Sequence, residues 1–377
     1  MTEIIWTNAR LVLPEAVIDG TLTLRDGRIA EIQPGNCAHP SAIDCGGDIV
    51  IPGVVDVHTD NLERQVLPRA NARWPSRSAF VSHDAQCAAA GVTTVLDALC
   101  LGDLGFDQGR DQTFRDGVDD LTAMADSGLM KSEHLLHLRC ELPARDMPGA
   151  LEPVAHHPLI AMVSLMDHSP GVGQYRDLQR YRAMRIRQTR MTEDEVERRI
   201  QALHAQRDEL REKQRAWVLS LFAGRDIPLA SHDDEEPEQV RRNAEDGIRV
   251  AEFPVTMEAA IEAGRIGVGV IGGAPNIVRG GSHSGNVSIM ELVRAGAMDV
   301  LASDYVPPAM IEAAFMVAKE VGLPKAIAMI TSAPAAMCRL DDRGALVPSL
   351  RADLVRVTQR DDMAVVRQVW RGGERVA

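Results

Sequence analysis

Lysine is scarce in this 377-residue chain: Lys131, Lys213, Lys319 and Lys325 are the only four among 41 basic residues. Cysteine pairs are missing as well. The six cysteines (37, 45, 87, 100, 140 and 338) contain no C-x-x-C spacing, which argues against a zinc ribbon, and a chain this long has no need of a disulfide framework. They read as buried reduced thiols. No apolar stretch nears the roughly 18 residues that span a bilayer, and Met1 to Gly20 shows no basic region followed by an apolar one. The expectation is a soluble, cytoplasmic protein without membrane contact. Positive charge is short too. A net charge of −13 argues against a nucleic-acid groove as the principal surface, so any anionic substrate must be met by a local cluster.

What is present is the composition of a globular protein. With 45% hydrophobic and 25% charged residues, disorder and collagen-like repeats are excluded. At about 150 residues per domain the length suggests two or three folding units, although an α/β barrel alone takes about 250. Short apolar runs (Ile4 to Trp6, Leu11 to Leu13, Leu22 to Leu24, Ile29 to Ile32) are broken by Asp26-Gly27 and Pro34-Gly35, which is β-meander chemistry. The texture returns at Ala352 to Val357 and Val365 to Trp370. Both ends, 1–51 and 341–377, are therefore expected to build one small β-sandwich.

Between them, over 52–340, β-rich runs alternate with helix-like segments. Strands are expected at Val54 to Val57, Val92 to Leu96, Leu135 to Arg139, Leu159 to Met166, Pro228 to Ser231, Val250 to Phe253, Ile266 to Ile271 and Val300 to Ser303. Eight is the count of a closed (βα)8 TIM-like barrel. No G-x-G-x-x-G or Walker loop follows the first strand, which favours the α/β barrel over an open doubly wound sheet. The connection 172–224 is far longer than a βα loop and reads as a helical insertion. Its Arg176, Arg180, Arg182, Arg185, Arg187 and Arg190 suit either a solvated hairpin or subunit contact, or a basic lid over a phosphorylated ligand.

In a barrel the chemistry sits at the carboxyl ends of the strands. There the sequence offers His58-Thr59-Asp60, Glu141, Asp167-His168, Ser231-His232-Asp233-Asp234 and Asp304. Convergent nitrogen and oxygen donors are what a divalent cation requires. Each has a packing alternative: Asp304 as a cap for a helix near Pro307-Pro308, Asp233 and Asp234 as caps after strand five, His83 and Asp84 as structural groups at a helix start. Metal pairs in such barrels need a bridging carboxyl group, often a carboxylated lysine. None of the four lysines closely follows a predicted strand, so Glu141 is expected to bridge or, with a single ion, to act as a base behind it. After strand seven, Gly273 to Asn286 joins a glycine-rich backbone to polar donors. Asn276, Arg279, Ser282, His283, Ser284 and Asn286 are candidate phosphate-binding residues, with a helix expected to open near Ser284.

These residues carry a resemblance. Ile51-Pro52-Gly53 leading to His58-Thr59-Asp60, Gly91-Val92-Thr93-Thr94 and Arg351-Ala352-Asp353-Leu354 resemble the amidohydrolase superfamily. The runs HTDNLE (58–63), WPSRSAFVSHDA (74–85), HLRCELP (137–143), VSLMDHSPG (163–171), ASHDD (230–234) and GAPNIVRGGSHSGNV (273–287) resemble its diphosphatase branch from the bacterial carbon-phosphorus lyase pathway of phosphonate metabolism. The resemblance covers essentially the whole chain. It implies a metal-dependent hydrolase that converts the 5-triphosphate of a ribosyl methylphosphonate to the 5-phosphate and pyrophosphate. It also implies a metal set of His58, Asp60, Glu141, His168, His232 and Asp304, and a homodimer; a carboxylate beside a dication stays ionised, so Asp304 is expected as the catalytic proton acceptor. One or two divalent ions are expected, zinc first, with manganese or iron compatible. The H-x-D motif departs from the superfamily's H-x-H, and the later histidines fall on strands four and five instead of five and six. Hydrolysis of a cyclic amide or N-acyl bond, and a metal-free scaffold, are the alternatives.

Overall fold

Strand-forming residues at the amino end fold by local turn chemistry. In the computed structural model, which describes residues 3–69, 72–105, 109–189, 191–282 and 285–377, five strands come first: β1 (Glu3–Val12), β2 (Val17–Arg25), β3 (Arg28–Pro34), β4 (Ile43–Asp44) and β5 (Ile49–Pro52). The β2–β3 hairpin closes at Arg25 opposite Arg28, with Asp26 at φ 50° and Gly27 at φ 78°. Two successive left-handed residues match the right-handed twist of the strands, which is why Asp-Gly occurs here. Gly27 has a second reason: a Cβ there would lie 2.8 Å from the Gly372 carbonyl oxygen.

The middle of the chain supplies eight parallel strands, β6 (Val54–Thr59), β7 (Val92–Leu101), β8 (Glu133–Glu141), β9 (Ile160–Met166), β10 (Leu229–His232), β11 (Val250–Glu252), β12 (Gly269–Gly273) and β13 (Val300–Ala302), paired in chain order. The barrel is near-closed. Between its first and last strands the described residues show a single bridge, Thr59 to Asp304, flanked by Asp304 N–H donating to the His58 carbonyl at 3.0 Å. Val55, Leu96, Met162, Ala230, Val250, Ile271 and Val300, from seven different strands, form one buried cluster with Ala335 and Cys338. This is the filled interior that lets a barrel stand without a pore. The seventh strand begins at Gly269 and not at the expected Ile266. Gly267 adopts φ 76°, and Val268 N–H returns to the Ala263 carbonyl at 2.9 Å, so residues 266–268 terminate the preceding helix.

The long connection after β9 folds into a helix over Leu178–Thr189 and a thirty-residue helix over Glu193–Phe222, the latter opened by a Thr192–Glu195 capping box. The long helix is docked, not solvated all round. Arg207 and Arg211 donate to Asp167, Gln206 to the Pro143 carbonyl, Gln214 to the Ala144 carbonyl and His204 to the Pro170 carbonyl. All these acceptors lie on the loops that follow β8 and β9, so the insertion clamps the rim that carries Glu141 and His168. Among the described residues no helix is long and apolar enough to cross a membrane.

The chain ends in β14 (Leu354–Arg360), β15 (Met363–Arg371) and β16 (Glu374–Arg375), and β14 pairs antiparallel with β5. Both termini thus share one mostly antiparallel sheet in the order β16-β15-β14-β5-β1-β2-β3, with β4 beside β1. Trp6 on β1 and Trp370 on β15 stand three strand spacings apart, about 14 Å in a flat sheet. Their rings meet edge to face at 5.4 Å, so the sheet curls over a shared core, and both ends of the chain build the small separate β unit that was expected.

Candidate active site

The side chains of the candidate site collect at the carboxyl ends of the barrel strands, where such barrels carry their chemistry. The centre of the cluster is Glu252, the last residue of β11 and fully buried. Its Oε1 lies 2.7 Å from His58 Nδ1, its Oε2 lies 2.7 Å from His232 Nδ1, and Ser164 donates to Oε2 at 2.8 Å. Burial alone would raise this carboxyl, yet the facing His58 and His137 rings hold it well below its ordinary value. An ionised acceptor fixes both imidazoles with Nδ1 protonated and Nε2 turned away from it.

His168 repeats the device. Its Nδ1 donates to Glu141 Oε2 at 2.5 Å and its backbone N–H to Oε1 at 2.8 Å. The Nε2 atoms of His58 and His168 are buried without a hydrogen-bond partner, His58 Nε2 lying 3.5 Å from Asp60 Oδ1. Buried nitrogen with nothing to bond is costly unless something else occupies the position, and a cation would. The donors fall into two groups with ligand atoms within 4.8 Å of one another: His58, Asp60 and Asp304, and His168, His232 and Asp233. The rings of His58 and His232 stack at 6.4 Å and those of His168 and His232 meet at 5.2 Å, so the groups adjoin. This donor set fits one or two divalent ions.

The backbone is shaped for the same purpose. Asp233, Phe253 and Asp304, which follow β10, β11 and β13, have φ of 57°, 55° and 56°. A left-handed conformation costs a non-glycine residue on the order of 1–3 kcal/mol, and such strain collects at functional sites. Burial pushes the Asp304 carboxyl up, and the neighbouring Asp60 charge adds to it. Burial also works against Asp60, but the Arg139 guanidinium, 2.7 Å from Oδ1, and the His58 ring outweigh it and hold Asp60 low.

Five of the six expected ligands, His58, Asp60, His168, His232 and Asp304, are thus brought together. Glu141 joins neither ligand group, and both its oxygens accept from His168. The helix Ala309–Val321 has Pro308 at its N-cap position and the helix Pro237–Glu245 has Glu236, so none of Asp304, Asp233 and Asp234 is a cap. Strand order also settles the histidines: His168 follows the fourth barrel strand and His232 ends the fifth. Sequence reasoning missed Glu252, and it offered Asp233 as a strand-end donor or a cap without placing it in the metal set. The available signal for Glu252 was one charge at the end of the apolar run Val250-Ala251.

A cleft of about 280 Å³ opens beside His58, Asp60, His232 and Asp304, lined further by Arg139, Asn276, Arg279, Ser282 and Asn286. Asn276 has a structural task that the sequence did not suggest. Its Nδ2 donates to the Val287 carbonyl at 3.3 Å and its Oδ1 accepts from Ile289 N–H at 3.1 Å, which ties both ends of the loop together. His283 and Ser284 lie outside the described residues. The helix expected near Ser284 begins at Ile289 instead, and Gly285, at φ 79°, stands outside helical geometry ahead of it.

His83 and Asp84 belong to a separate buried network. His83 Nε2 lies 2.7 Å from Asp97 Oδ1, and His134 Nδ1 and Nε2 lie 2.8 and 3.2 Å from Asp97 Oδ2 and Asp84 Oδ1. Asn61, next to Asp60 in the chain, donates to His83 Nδ1 at 2.9 Å, so the network braces the segment that carries a candidate ligand.

Comparison with known proteins agrees with this architecture. The chain is 38% identical over 373 residues, 98% of its length and 99% of the relative's, to alpha-D-ribose 1-methylphosphonate 5-triphosphate diphosphatase from Escherichia coli (strain K12). A stretch of 99 residues, 26% of the chain and 20% of the relative, is 27% identical to L-hydantoinase from Paenarthrobacter aurescens. Among solved structures, L-hydantoinase from Arthrobacter aurescens superposes with a TM-score of 0.64 at 14% identity, covering 100% of this chain and 96% of that one. N-isopropylammelide isopropylaminohydrolase from Burkholderia multivorans gives 0.61 at 18% identity, covering 100% and 98%. No family model matches.

Proposed function

The chain belongs to the family of alpha-D-ribose 1-methylphosphonate 5-triphosphate diphosphatases, hydrolases with the amidohydrolase fold, and from that premise we propose that it cleaves the 5-triphosphate of a ribosyl alkylphosphonate to the 5-phosphate and pyrophosphate. The observation that carries the reading is the pairing of two ligand groups with a cleft lined by Arg279, Ser282 and Asn286. His58, Asp60 and Asp304 would hold one divalent cation, and His168, His232 and Asp233 a second; imidazole with carboxylate suits zinc first, and manganese or iron are compatible. When bound, such a cation polarises phosphoryl oxygens and makes water a stronger acid.

The chain's own residues do the rest. Water adds through its oxygen to the α-phosphorus, the bond to the bridging oxygen of the β-phosphate breaks, and pyrophosphate departs with that electron pair. Asp304 is placed to take the proton, since its carboxylate lies in a ligand group and opens on the cleft. Arg279 presents a planar fork of N–H donors to the charge growing on the leaving group. Positioning and electrostatics dominate phosphoryl transfer, so a cleft with few moving parts suffices.

A second reading, hydrolysis of a cyclic amide, is favoured by the likeness to hydantoinases. The same ligand groups would serve it, but an amide substrate has no use for Arg279. Phosphorus NMR of the protein incubated with a ribose 5-triphosphate, beside a parallel incubation with hydantoin, decides between them. The expected products are a 5-phosphate and pyrophosphate, lost on chelation. Turnover of hydantoin alone would overturn the diphosphatase reading.

A further inference from the structure

Three cavities meet at one side chain. Gln174 lines the loop cleft of about 280 Å³, a second chamber of about 200 Å³ beside Glu141 and His168, and an outer groove of about 670 Å³ along the helix Leu178–Thr189. The cleft and the chamber share two further residues, Asp60 and Arg139, which are committed to each other at 2.7 Å, with Asp60 also in a ligand group. The amide of Gln174 has no such duty. It is half-buried and has no hydrogen-bond partner among the described residues, where only its backbone N–H is engaged.

That backbone is fixed to the site. Gln174 N–H donates to Asp233 Oδ2 at 3.3 Å and Gly173 N–H to Glu235 Oε1 at 2.6 Å, so the turn Gly173–Tyr175 is stitched to the loop that carries part of a ligand group. The approach is close enough to demand glycine. Gly173 has φ 54°, and a Cβ on it would lie 2.7 Å from Asp233 Cβ. Gly171 N–H closes the turn on the Tyr175 carbonyl at 3.0 Å. A side chain carried on so short and pinned a turn is placed before the ligand arrives, which lowers the ordering cost of binding.

We propose that Gln174 reads a hydroxyl of the substrate's sugar, so that the insertion contributes to telling a sugar triphosphate from a bare polyphosphate. The proposal rests on the diphosphatase reading. With the α-phosphorus at the ligand groups and the rest of the triphosphate in the loop cleft, the sugar is the next covalent neighbour and falls where the cavities cross. The two parts of such a substrate differ in what they can bond. A phosphate oxygen only accepts, whereas a hydroxyl both donates and accepts, and a carboxamide with its oxygen and its NH2 answers both. Because Asp60 and Arg139 neutralise each other, the crossing offers a neutral polar group to the neutral part of the substrate. A sugar lacking the hydroxyl would leave that amide unanswered, which is how a site rejects it.

The test uses Gln174→Ala and Gln174→Met in the full-length, metal-loaded protein, the second keeping the length of the side chain without its amide. Calorimetric titration with ribose 5-phosphate and with its 2-deoxy and 3-deoxy forms reads the contact. The parent should bind ribose 5-phosphate about fivefold more tightly than at least one deoxy form, the size of a single neutral hydrogen bond. Both variants should lose that preference while binding tripolyphosphate within about twofold of the parent, which also reports intact folding. In turnover, they should lower kcat/KM for ribose 5-triphosphate by about the same fivefold and leave that for the matching deoxy triphosphate within about twofold. A hydroxyl preference that survives both substitutions overturns the proposal. So does equal weakening of sugar phosphate and tripolyphosphate, or a parent that shows no preference or no sugar-phosphate binding. Failure of the diphosphatase reading shows elsewhere, as no pyrophosphate release from any sugar triphosphate, and the titrations still decide the role of Gln174.

Discussion

Asp304 donates its backbone N–H to the carbonyl of His58 at 3.0 Å, so the last barrel strand is latched to the first at residues whose side chains share a ligand group. Closure of the barrel and assembly of the site are therefore one event. A barrel whose eighth strand fails to dock loses a ligand group along with its seam.

That latch is made by backbone, which separates the fold from the chemistry at this position. Asp304→Asn should keep the far-ultraviolet circular dichroism and the melting temperature close to the parent. It should lower kcat by about 100-fold or more, as loss of a proton acceptor does. Steady-state kinetics with pyrophosphate release as readout would check it; unchanged turnover would remove Asp304 from the mechanism.

Glu252 supports two imidazoles at once, so its replacement should be felt in metal content before it is felt in folding. Glu252→Gln offers one acceptor where two are needed, and the amide nitrogen faces a ring N–H or forces a tautomer change. The expected result is metal affinity or activity reduced by about 10- to 100-fold, the usual range for outer partners of ligating histidines. Elemental analysis after dialysis against a competing chelator reads it directly.

Arg279 and Asn276 line the same cleft but should fail differently. Arg279→Ala removes a charge-bearing donor and is expected to lower kcat/KM for a sugar triphosphate by at least tenfold with the protein otherwise intact. Asn276→Ala releases the ties that hold Val287 and Ile289 to the helix Ala274–Arg279. Its first effect should be faster proteolysis within 280–288, with the kinetic loss following. Limited proteolysis and kinetics on the two variants side by side would show whether the order holds.

The His83–Asp97–His134 network predicts a dependence of stability on pH. Burial by itself would lower His134, but Asp97, with help from Asp84, reverses this and raises it to about 9. A group whose value is raised on folding contributes stability that is complete below its unfolded value, about 6.5, and is lost as pH climbs through the folded one. Asp97 is opposed by burial and lowered by His134 and His83 to about 2, so its contribution is lost only as acid approaches that value. Urea unfolding of the parent and of His134→Gln between pH 6 and 9.5 should show the difference between them shrinking as pH rises. A difference constant with pH would mean that His134 is not charged in the folded protein.

The alternation of apolar runs with helix-like segments was enough to read eight barrel strands, because burial on both faces leaves little choice of residue type. The histidines were legible for a related reason: an imidazole or carboxylate directly after a buried strand has few structural uses. Glu252 was hidden because a strand of three residues shows no period against which a charge stands out. Asn276 was legible as a residue of the cleft, but its ties to Val287 and Ile289 were not, because a side-chain amide reads the same whether its partner is a ligand or a loop. The insertion 172–224 was recognisable as helix, but nothing in its arginine spacing showed that the long helix grips Asp167 or that Arg185 stacks on two tyrosines.

By itself the chain order determined the fold class, the joining of both ends in one sheet and the residue types available at each strand end, since these follow from local pattern and turn chemistry. Only the tertiary structure decided which carboxylate orients which imidazole, that Glu141 stands behind His168, and that two clefts part at Asp60 and Arg139. The physical reason is that hydrogen-bond partners and cavity walls come from strands far apart in sequence, and their distances are set by barrel closure and not by spacing along the chain.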